Sequence, residues 1–312
     1  MTRRARANVM LLCGSAIWGF AFAFQVMGAH VGAFSFNSSR FLLGAVSLLP
    51  LIAWVDRRSG VDRAVGRRRW RSVLGPGALC GVFLFGGASF QQIALADTTA
   101  GNAAFVTGLY VVLVPLVGIL LGHRATLNIW IGALVAVAGL YLLTMTGGIA
   151  QMNPGDLLCL VSTLFWTAHI LSIGYFARRI DPLRLAVAQF VAMSLYGVPF
   201  AFATEARPFA DLGTAIIPIL YAGVASVGLG YTLQVLAQRD ALESHAALIM
   251  SLESVFGAIG GALLLGERMS GVGYVGAALM LVGIVVSQLP RRGQPHGPAI
   301  PVPEPPSTAL EL

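Results

Sequence analysis

Long apolar runs separated by short polar turns dominate the pattern along the chain. An α-helix needs about 20 apolar residues to cross the hydrocarbon core of a bilayer. The pattern therefore predicts ten membrane-spanning helices, and unbroken runs of this length exclude the alternating strands of a membrane barrel. The predicted spans are 8–27, 33–55, 73–95, 98–121, 127–147, 155–177, 184–204, 213–236, 246–265 and 270–289.

Composition agrees with an all-α integral membrane protein. Apolar residues make up 57% of the chain, charged residues 11%, and the mean hydropathy is +0.80. Ordinary soluble domains carry about 25% charged residues. The lipid bilayer is therefore an expected partner, whereas a soluble nucleic-acid-binding domain is excluded because its basic residues would be concentrated on one folded face.

The basic residues indicate the orientation in the membrane. All 20 of them are arginine, and 17 fall on one side if the N-terminus is cytoplasmic. Positively charged loops favour the cytoplasmic side. We therefore predict a multi-pass protein of the inner (plasma) membrane with both termini in the cytoplasm. The proline-rich segment 290–312 is predicted to be a disordered cytoplasmic tail.

Several residues recur at nearly constant separations, which indicates an internal duplication. The matched pairs, 144 to 149 residues apart, are Gly122 and Gly266, Gly132 and Gly276, Gly139 and Gly283, Trp18 and Trp166, and Arg40 and Gln189. Two five-span repeats, 8–147 and 155–289, are predicted. Because five is odd, the second repeat enters the membrane from the opposite side, and such inverted repeats favour alternating access around a central site.

Similar sequence motifs occur in the two halves. They are LLLGER (Leu263–Arg268) with GAALMLVGIVV (Gly276–Val286), the weaker LLGHR (Leu120–Arg124) with GALVAVAGLYLL, and AIWGFAF in the first span. With these motifs the chain, up to about Leu289, resembles the EamA family of the drug/metabolite transporter superfamily. The resemblance implies a ten-span carrier that exports or exchanges small metabolites through a cavity between the halves. Family members often have proline after the acidic residue of the ninth span, whereas Ser254 follows Glu253 here.

Glu253 is the leading candidate for ion coupling. It lies within the ninth apolar run, whereas the first repeat has Leu109 at the matching position. Ionisable residues inside a membrane are costly and commonly functional, so Glu253 is predicted to exchange a proton or sense a cation. The alternative is a protonated, hydrogen-bonded packing residue. His245 falls on the same helical face and is predicted at the cytoplasmic mouth of this path, or else at the membrane interface.

Arg40 and the mid-membrane aromatic residues are candidates for solute binding. Arg40 is predicted to clamp an anionic group or to pair with Glu253, with snorkelling to the outer surface as the alternative. Trp18 and Trp166 are expected either to line a cavity for an apolar or aromatic solute or simply to pack in the core. His169, less than one turn from Trp166, is a candidate donor or acceptor.

Further polar residues within the spans are weaker candidates, because each can instead bond a neighbouring helix. They are Gln189, Asn102, Tyr110, Tyr231, Gln234, Gln91 and Gln92.

These patterns favour a secondary carrier of small-molecule metabolites, acting as a monomer or homodimer without a cofactor or metal. The chain lacks the G-x-x-x-x-G-K-[ST] motif of phosphate loops, which argues against primary energy coupling. One alternative is a membrane scaffold or receptor that transports nothing. The other is an intramembrane serine enzyme that uses Ser89 with His169 as its base, although a lone Gly-x-Ser sequence carries little weight.

Overall fold

The computed structural model describes residues 2–98, 103, 106–123, 125–144, 154–266 and 270–289, and these are arranged as α-helices joined by short turns. Among these residues, seven helices are long and apolar enough to cross a membrane, and three shorter apolar helices accompany them. The helices are α1 (Arg3–Met27), α2 (Ala33–Arg58), α3 (Arg63–Ala94), α4 (Val106–Leu120), α5 (Leu127–Thr144), α6 (Pro154–Phe176), α7 (Pro182–Thr204), α8 (Leu212–Gln238), α9 (Glu243–Leu264) and α10 (Gly271–Gln288). The predicted tail at 290–312 lies outside the described residues.

Helix α3 begins earlier than the hydropathy pattern predicts. The predicted span starts at residue 73, whereas the helix starts at Arg63. Asp62 caps this start, because its Oδ1 accepts hydrogen bonds of 2.7 and 2.8 Å from the backbone N–H groups of Ala64 and Val65. Hydropathy finds only the part of a helix inside the hydrocarbon, so the arginine-rich first turns were not predicted.

Two helices are interrupted by a turn, which corrects the prediction of a single continuous ninth span. Helix α9 consists of Glu243–Met250 and Glu253–Leu264 on either side of a turn. Helix α4 has a turn at Leu109, and Tyr110 begins its second part. The backbone angles at the two turns agree closely: φ −61° and ψ −12° at Leu109, and φ −62° and ψ −12° at Leu252.

The helices pack in a limited set of pairs. Helix α5 packs against α10, α1 against α9, α4 against α6, and α7 against both α2 and α3. Helix α8, which contains a π-helical segment at Tyr221–Tyr231, packs against α2 and α1, while α3 also packs against α6. The main cluster of buried apolar residues contains side chains from helices in both halves of the sequence, from Ala7 to Met250.

Glycines allow α5 and α10 to approach closely. A Cβ atom added at Gly132 would lie 2.5 Å from the carbonyl oxygen of Gly283, and one at Gly139 would lie 2.5 Å from that of Gly276. A side chain of any size would push the helices apart at both crossings. Small residues at such positions are typical of helix pairs in membranes.

Candidate functional site

A cavity of about 520 Å³, counted to its open mouth, lies among seven of the helices. The lining residues come from α1, α2, α3, α4, α6, α8 and α9, and they are Trp18, Ala21, Phe22, Gln25, Arg40, Gln91, Thr107, Tyr110, Trp166, Ile170, Ser226, Tyr231, Gln234, Met250 and Glu253. Eight of the thirteen candidate residues from the sequence are therefore brought together here.

Glu253 lies at the point where the two interrupted helices meet. It is the first residue of the second part of α9, and only 8% of it is exposed. Its Oε1 accepts a 3.0 Å hydrogen bond from the hydroxyl of Tyr110, the first residue of the second part of α4. A carboxylate in the first turn of a helix is also favoured by the helix dipole.

Arg40 is buried and lines the same cavity rather than extending to the surface. Its Nε donates a 2.8 Å hydrogen bond to Oδ1 of Asn37, whose own Nδ2 donates to the carbonyl oxygen of Ala88 at 3.0 Å. The guanidinium carbon lies 5.0 Å from the centre of the Phe41 ring. Within the described ranges no carboxylate lies within 4.0 Å of Arg40, so the predicted alternative of an ion pair with Glu253 does not form.

Aromatic side chains form one wall of the cavity. The ring of Tyr231 lies 4.7 Å from Trp18 and 6.2 Å from Trp166, measured between centroids. Trp18 Nε1 donates a 3.3 Å hydrogen bond to the carbonyl oxygen of Ser226. Trp166 Nε1 and Gln234 Oε1 have no hydrogen-bond partner among the described residues. Buried polar atoms normally have a partner, so the cavity offers this donor and acceptor to water or a solute.

His169 and Gln189 lie behind the aromatic wall and do not line the cavity. His169 Nε2 donates a 2.7 Å hydrogen bond to Gln189 Oε1, and the His169 ring packs edge-on against Trp166 and Tyr231. These two residues therefore support the wall. The histidine's bond goes to Gln189, and the described contacts include none between His169 and Ser89, so the alternative of a serine–histidine pair is not formed.

Two other predicted site residues do not reach the cavity. His245 Nε2 donates a 3.2 Å hydrogen bond to the carbonyl oxygen of Ser287 on α10, and His245 is not among the lining residues. Its predicted place at the mouth of the Glu253 path is therefore not seen. Asn102 lies outside the described residues.

Sequence reasoning missed three polar lining residues, Gln25, Thr107 and Ser226. Thr107 accepts a 3.1 Å hydrogen bond from Nε2 of Gln91, another lining residue. Gln25 lies near the end of the first apolar run, where a polar residue is expected simply because the helix is about to end. Threonine and serine are common in membrane helices, so polarity alone did not distinguish these positions.

Comparison with known proteins identifies the family. The EamA-like transporter family matches residues 5–145 and 153–288. An uncharacterized transporter of Archaeoglobus fulgidus is 30% identical over 289 residues, which cover 92% of this chain and 87% of that protein. An uncharacterized protein of Pseudomonas aeruginosa is 28% identical, with 93% of each chain covered.

The fold has been observed before. A solved crystal structure superposes with a TM-score of 0.72 at 19% identity, covering 91% of this chain and 98% of the other. This likeness concerns the fold alone. Together with the family match to both halves and the relatives named as transporters, it leads to one assignment. The chain belongs to the EamA-like transporter family, within the drug/metabolite transporter superfamily, and is a multi-pass membrane transporter rather than an enzyme.

Proposed function

We propose that the protein is a secondary carrier that exports or exchanges small metabolites by alternating access between two inverted five-span halves, 8–147 and 155–289. The observation that carries the proposal is the bond between Tyr110 and Glu253, which joins the interruptions of α4 and α9 at the wall of one cavity. Interrupted helices near the midplane of a repeat interface are typical of solute sites in secondary transporters.

Matching backbone features support the inverted repeat. Gly122 and Gly266, which are 144 residues apart, both have positive φ, +84° and +70°. The turns at Leu109 and Leu252 have nearly the same backbone angles. Glycine accepts positive φ without the steric cost of a Cβ atom, which explains why it occurs at both helix ends.

The packing pairs support the same symmetry. Exchanging the halves converts the close approach of Gly132 to Gly283 into that of Gly276 to Gly139, and both are observed. The exchange replaces each of α1–α5 by the matching helix of α6–α10. The packing of α1 on α9 then corresponds to that of α6 on α4, and the packing of α2 on α8 corresponds to that of α7 on α3; all four pairs are observed. A two-fold relation between the halves provides two equivalent ways to close the cavity, as alternating access requires.

The solute of this carrier has an acidic group and an apolar or aromatic body. Arg40 presents a guanidinium with one N–H bonded to Asn37 and no carboxylate partner in the described part of the chain. Such a group favours carboxylate or phosphate. Trp18, Trp166 and Tyr231 provide an apolar face for the rest of the solute.

Glu253 couples proton movement to transport in this proposal. The carboxylate lines the solute cavity, and its hydrogen-bond partner among the described residues is the hydroxyl of Tyr110. Binding an anion at Arg40 disfavours a second negative charge nearby, so anion binding and protonation of Glu253 assist one another. The arginine distribution supports placement in the inner membrane with both termini in the cytoplasm.

Reconstituted vesicles provide the test. Purified protein in proteoliposomes is screened for exchange of labelled organic acids, amines and neutral metabolites, with and without a pH gradient. The proposal expects exchange of at least one acidic solute, faster accumulation under a pH gradient, and loss of both in an Arg40→Gln/Glu253→Gln double variant. Equal exchange by the native protein and this variant would show that the cavity is not the transport route.

A further inference from the structure

Helix α3 is longer than a membrane span requires. Its 32 residues correspond to about 48 Å at ~1.5 Å per residue, whereas the hydrocarbon core is about 30 Å thick. The helix therefore extends beyond the hydrocarbon core. The part outside the core is Arg63–Arg71, because the apolar residues of the helix follow Arg71. These turns are helical rather than a loose loop, so their side chains have defined directions.

One face of this extension carries arginines that continue a lipid-facing strip. Arg63, Arg67 and Arg71 are four residues apart and all exposed, which places them on one face of the helix. Leu74, on the same face, is 61% exposed in a helix that crosses the membrane. The arginines therefore lie toward lipid, directly beyond the acyl-chain region.

Their depth matches the phospholipid headgroups. Arg71 and Arg67 precede Leu74 by about 4.5 and 10.5 Å along the axis at ~1.5 Å per residue. The headgroup layer adds about 5–8 Å to each side of the hydrocarbon core. Long arginine side chains easily adjust by the remaining few ångströms.

The neighbouring end of α2 adds charge and an interfacial anchor. Arg57 and Arg58 are exposed in its last turn. The Arg58 guanidinium carbon lies 5.3 Å from the centre of the Trp54 ring, and Trp54 is 55% exposed. Tryptophan at a helix end is typical of the membrane–water interface.

Nearby acids do not neutralise this charge. Asp56 pairs with the buried Arg184 at 2.5 Å, and Asp62 accepts the backbone N–H groups at the start of α3. Across the described ranges, the exposed arginines from 57 to 71 take part in no ion pair. Their charge is available to a negative partner.

We propose that this surface binds the phosphate groups of anionic phospholipids in the leaflet it faces. We call it the basic surface, formed by Arg57, Arg58, Arg63, Arg67, Arg68 and Arg71. Clusters of four to eight basic residues directly outside a membrane helix favour anionic lipids. Guanidinium groups bind phosphate oxygens through paired hydrogen bonds, which suits a surface made of arginine without lysine. The bound lipid stabilises the folded protein and holds the ends of α2 and α3 at the interface.

The test compares the full chain in nanodiscs of phosphatidylcholine alone and with added phosphatidylglycerol. Melting temperature and lipid retained in native mass spectrometry are measured for the native protein and for Arg67→Gln/Arg71→Gln. We expect phosphatidylglycerol to raise the native Tm and to be retained in preference to phosphatidylcholine. The double variant should bind it roughly tenfold or more weakly and lose most of the Tm gain.

A matched control removes two exposed arginines elsewhere. Arg207→Gln/Arg239→Gln changes the net charge equally but leaves the basic surface intact, and it should keep the full Tm gain. Equal losses in the two double variants would overturn the proposal in favour of general charge attraction. The native protein also gives a test without substitutions: preferential retention of phosphatidylglycerol supports the proposal, whereas an equal Tm gain from free inorganic phosphate overturns it.

Discussion

The hydroxyl of Tyr110 donates a 3.0 Å hydrogen bond to Oε1 of Glu253, 143 residues away in the sequence. Each residue begins the second part of an interrupted helix, so the bond ties the interruption of α4 to that of α9. Any rearrangement that separates these helices must break or remake it. In the carrier that we propose, this contact relates the protonation of Glu253 to the opening of the cavity.

Replacing Glu253 separates coupling from solute binding. In Glu253→Gln the side chain keeps its size and an oxygen acceptor for Tyr110 but can no longer gain or lose a proton. We expect pH-driven uptake into proteoliposomes to fall more than tenfold while equilibrium exchange is largely retained. Tyr110→Phe is the matched comparison, because it removes the hydrogen bond but leaves the carboxylate. Tyr110→Phe should slow transport but retain its pH dependence. An unchanged pH-driven rate in Glu253→Gln would contradict proton coupling by Glu253.

Replacing Arg40 tests its role as an anion clamp. Arg40→Gln removes the guanidinium, and we expect affinity for acidic solutes to fall by about 10- to 100-fold, in keeping with ~1.5–3 kcal/mol for a hydrogen bond to a charged group. Neutral solutes should lose much less affinity. Asn37→Ala keeps the charge but removes the acceptor for Arg40 Nε, so a smaller loss is expected. Binding is measured by competition against a labelled solute, and equal losses for acidic and neutral solutes would indicate a structural role.

The glycine crossing of α5 and α10 should be sensitive to a single methyl group. A Cβ at Gly283 would lie 2.6 Å from the carbonyl oxygen of Gly132 and 2.9 Å from the backbone nitrogen of Ala136. Gly283→Ala should therefore cost about 1–3 kcal/mol and lower the Tm in detergent by several degrees. Gly271→Ala, on the same helix with no heavy atom within 4 Å, is the control and should leave the Tm nearly unchanged. A similar Tm for both variants would contradict tight packing at this crossing.

The parts of the fold that follow from local sequence were predictable. Apolar runs located the helices, whereas the repeated glycines indicated a duplication and not the crossing at which Gly132 meets Gly283. The interruption at Ser251–Leu252 was not predictable, because neither proline nor glycine marks the sequence IMSLES and the turn depends on contacts with other helices. Hydropathy likewise cannot report the start of α3 at Arg63, since arginine suits an exposed helix as well as a loop.

The same distinction applies to the site. Arg40 and Asn37 are three residues apart on one helix, so a contact between them follows from helical geometry. The position of Tyr110 opposite Glu253 depends on the packing of distant helices, and the sequence identified both residues as polar without pairing them. His245 would share a helical face with Glu253 in an unbroken helix, but a turn at Ser251–Leu252 lies between them. In the structure His245 contacts Ser287 on α10.

An ion pair links the residues that follow α6 to the start of α9. Arg178 follows α6 and Glu243 begins α9, and their side chains lie 3.0 Å apart with Glu243 only 7% exposed. Arg178 Nη2 also donates a 2.7 Å hydrogen bond to the carbonyl oxygen of Ala241. Both α6 and α9 contribute cavity residues, so breaking this pair should favour the conformation open on the Arg178 side.

Cysteine labelling measures this effect. Ile170, which lines the cavity, is replaced by cysteine in a chain whose native cysteines, Cys13, Cys80 and Cys159, are changed to alanine. Arg178→Gln should speed labelling by an impermeant maleimide from the Arg178 side about fivefold, as expected if the pair contributes ~1 kcal/mol to closure. Arg179→Gln is the control, because the described hydrogen bond and ring contact of the Arg179 side chain are both with Tyr175, four residues earlier. If both substitutions change the labelling rate equally, general loss of charge rather than the ion pair controls access.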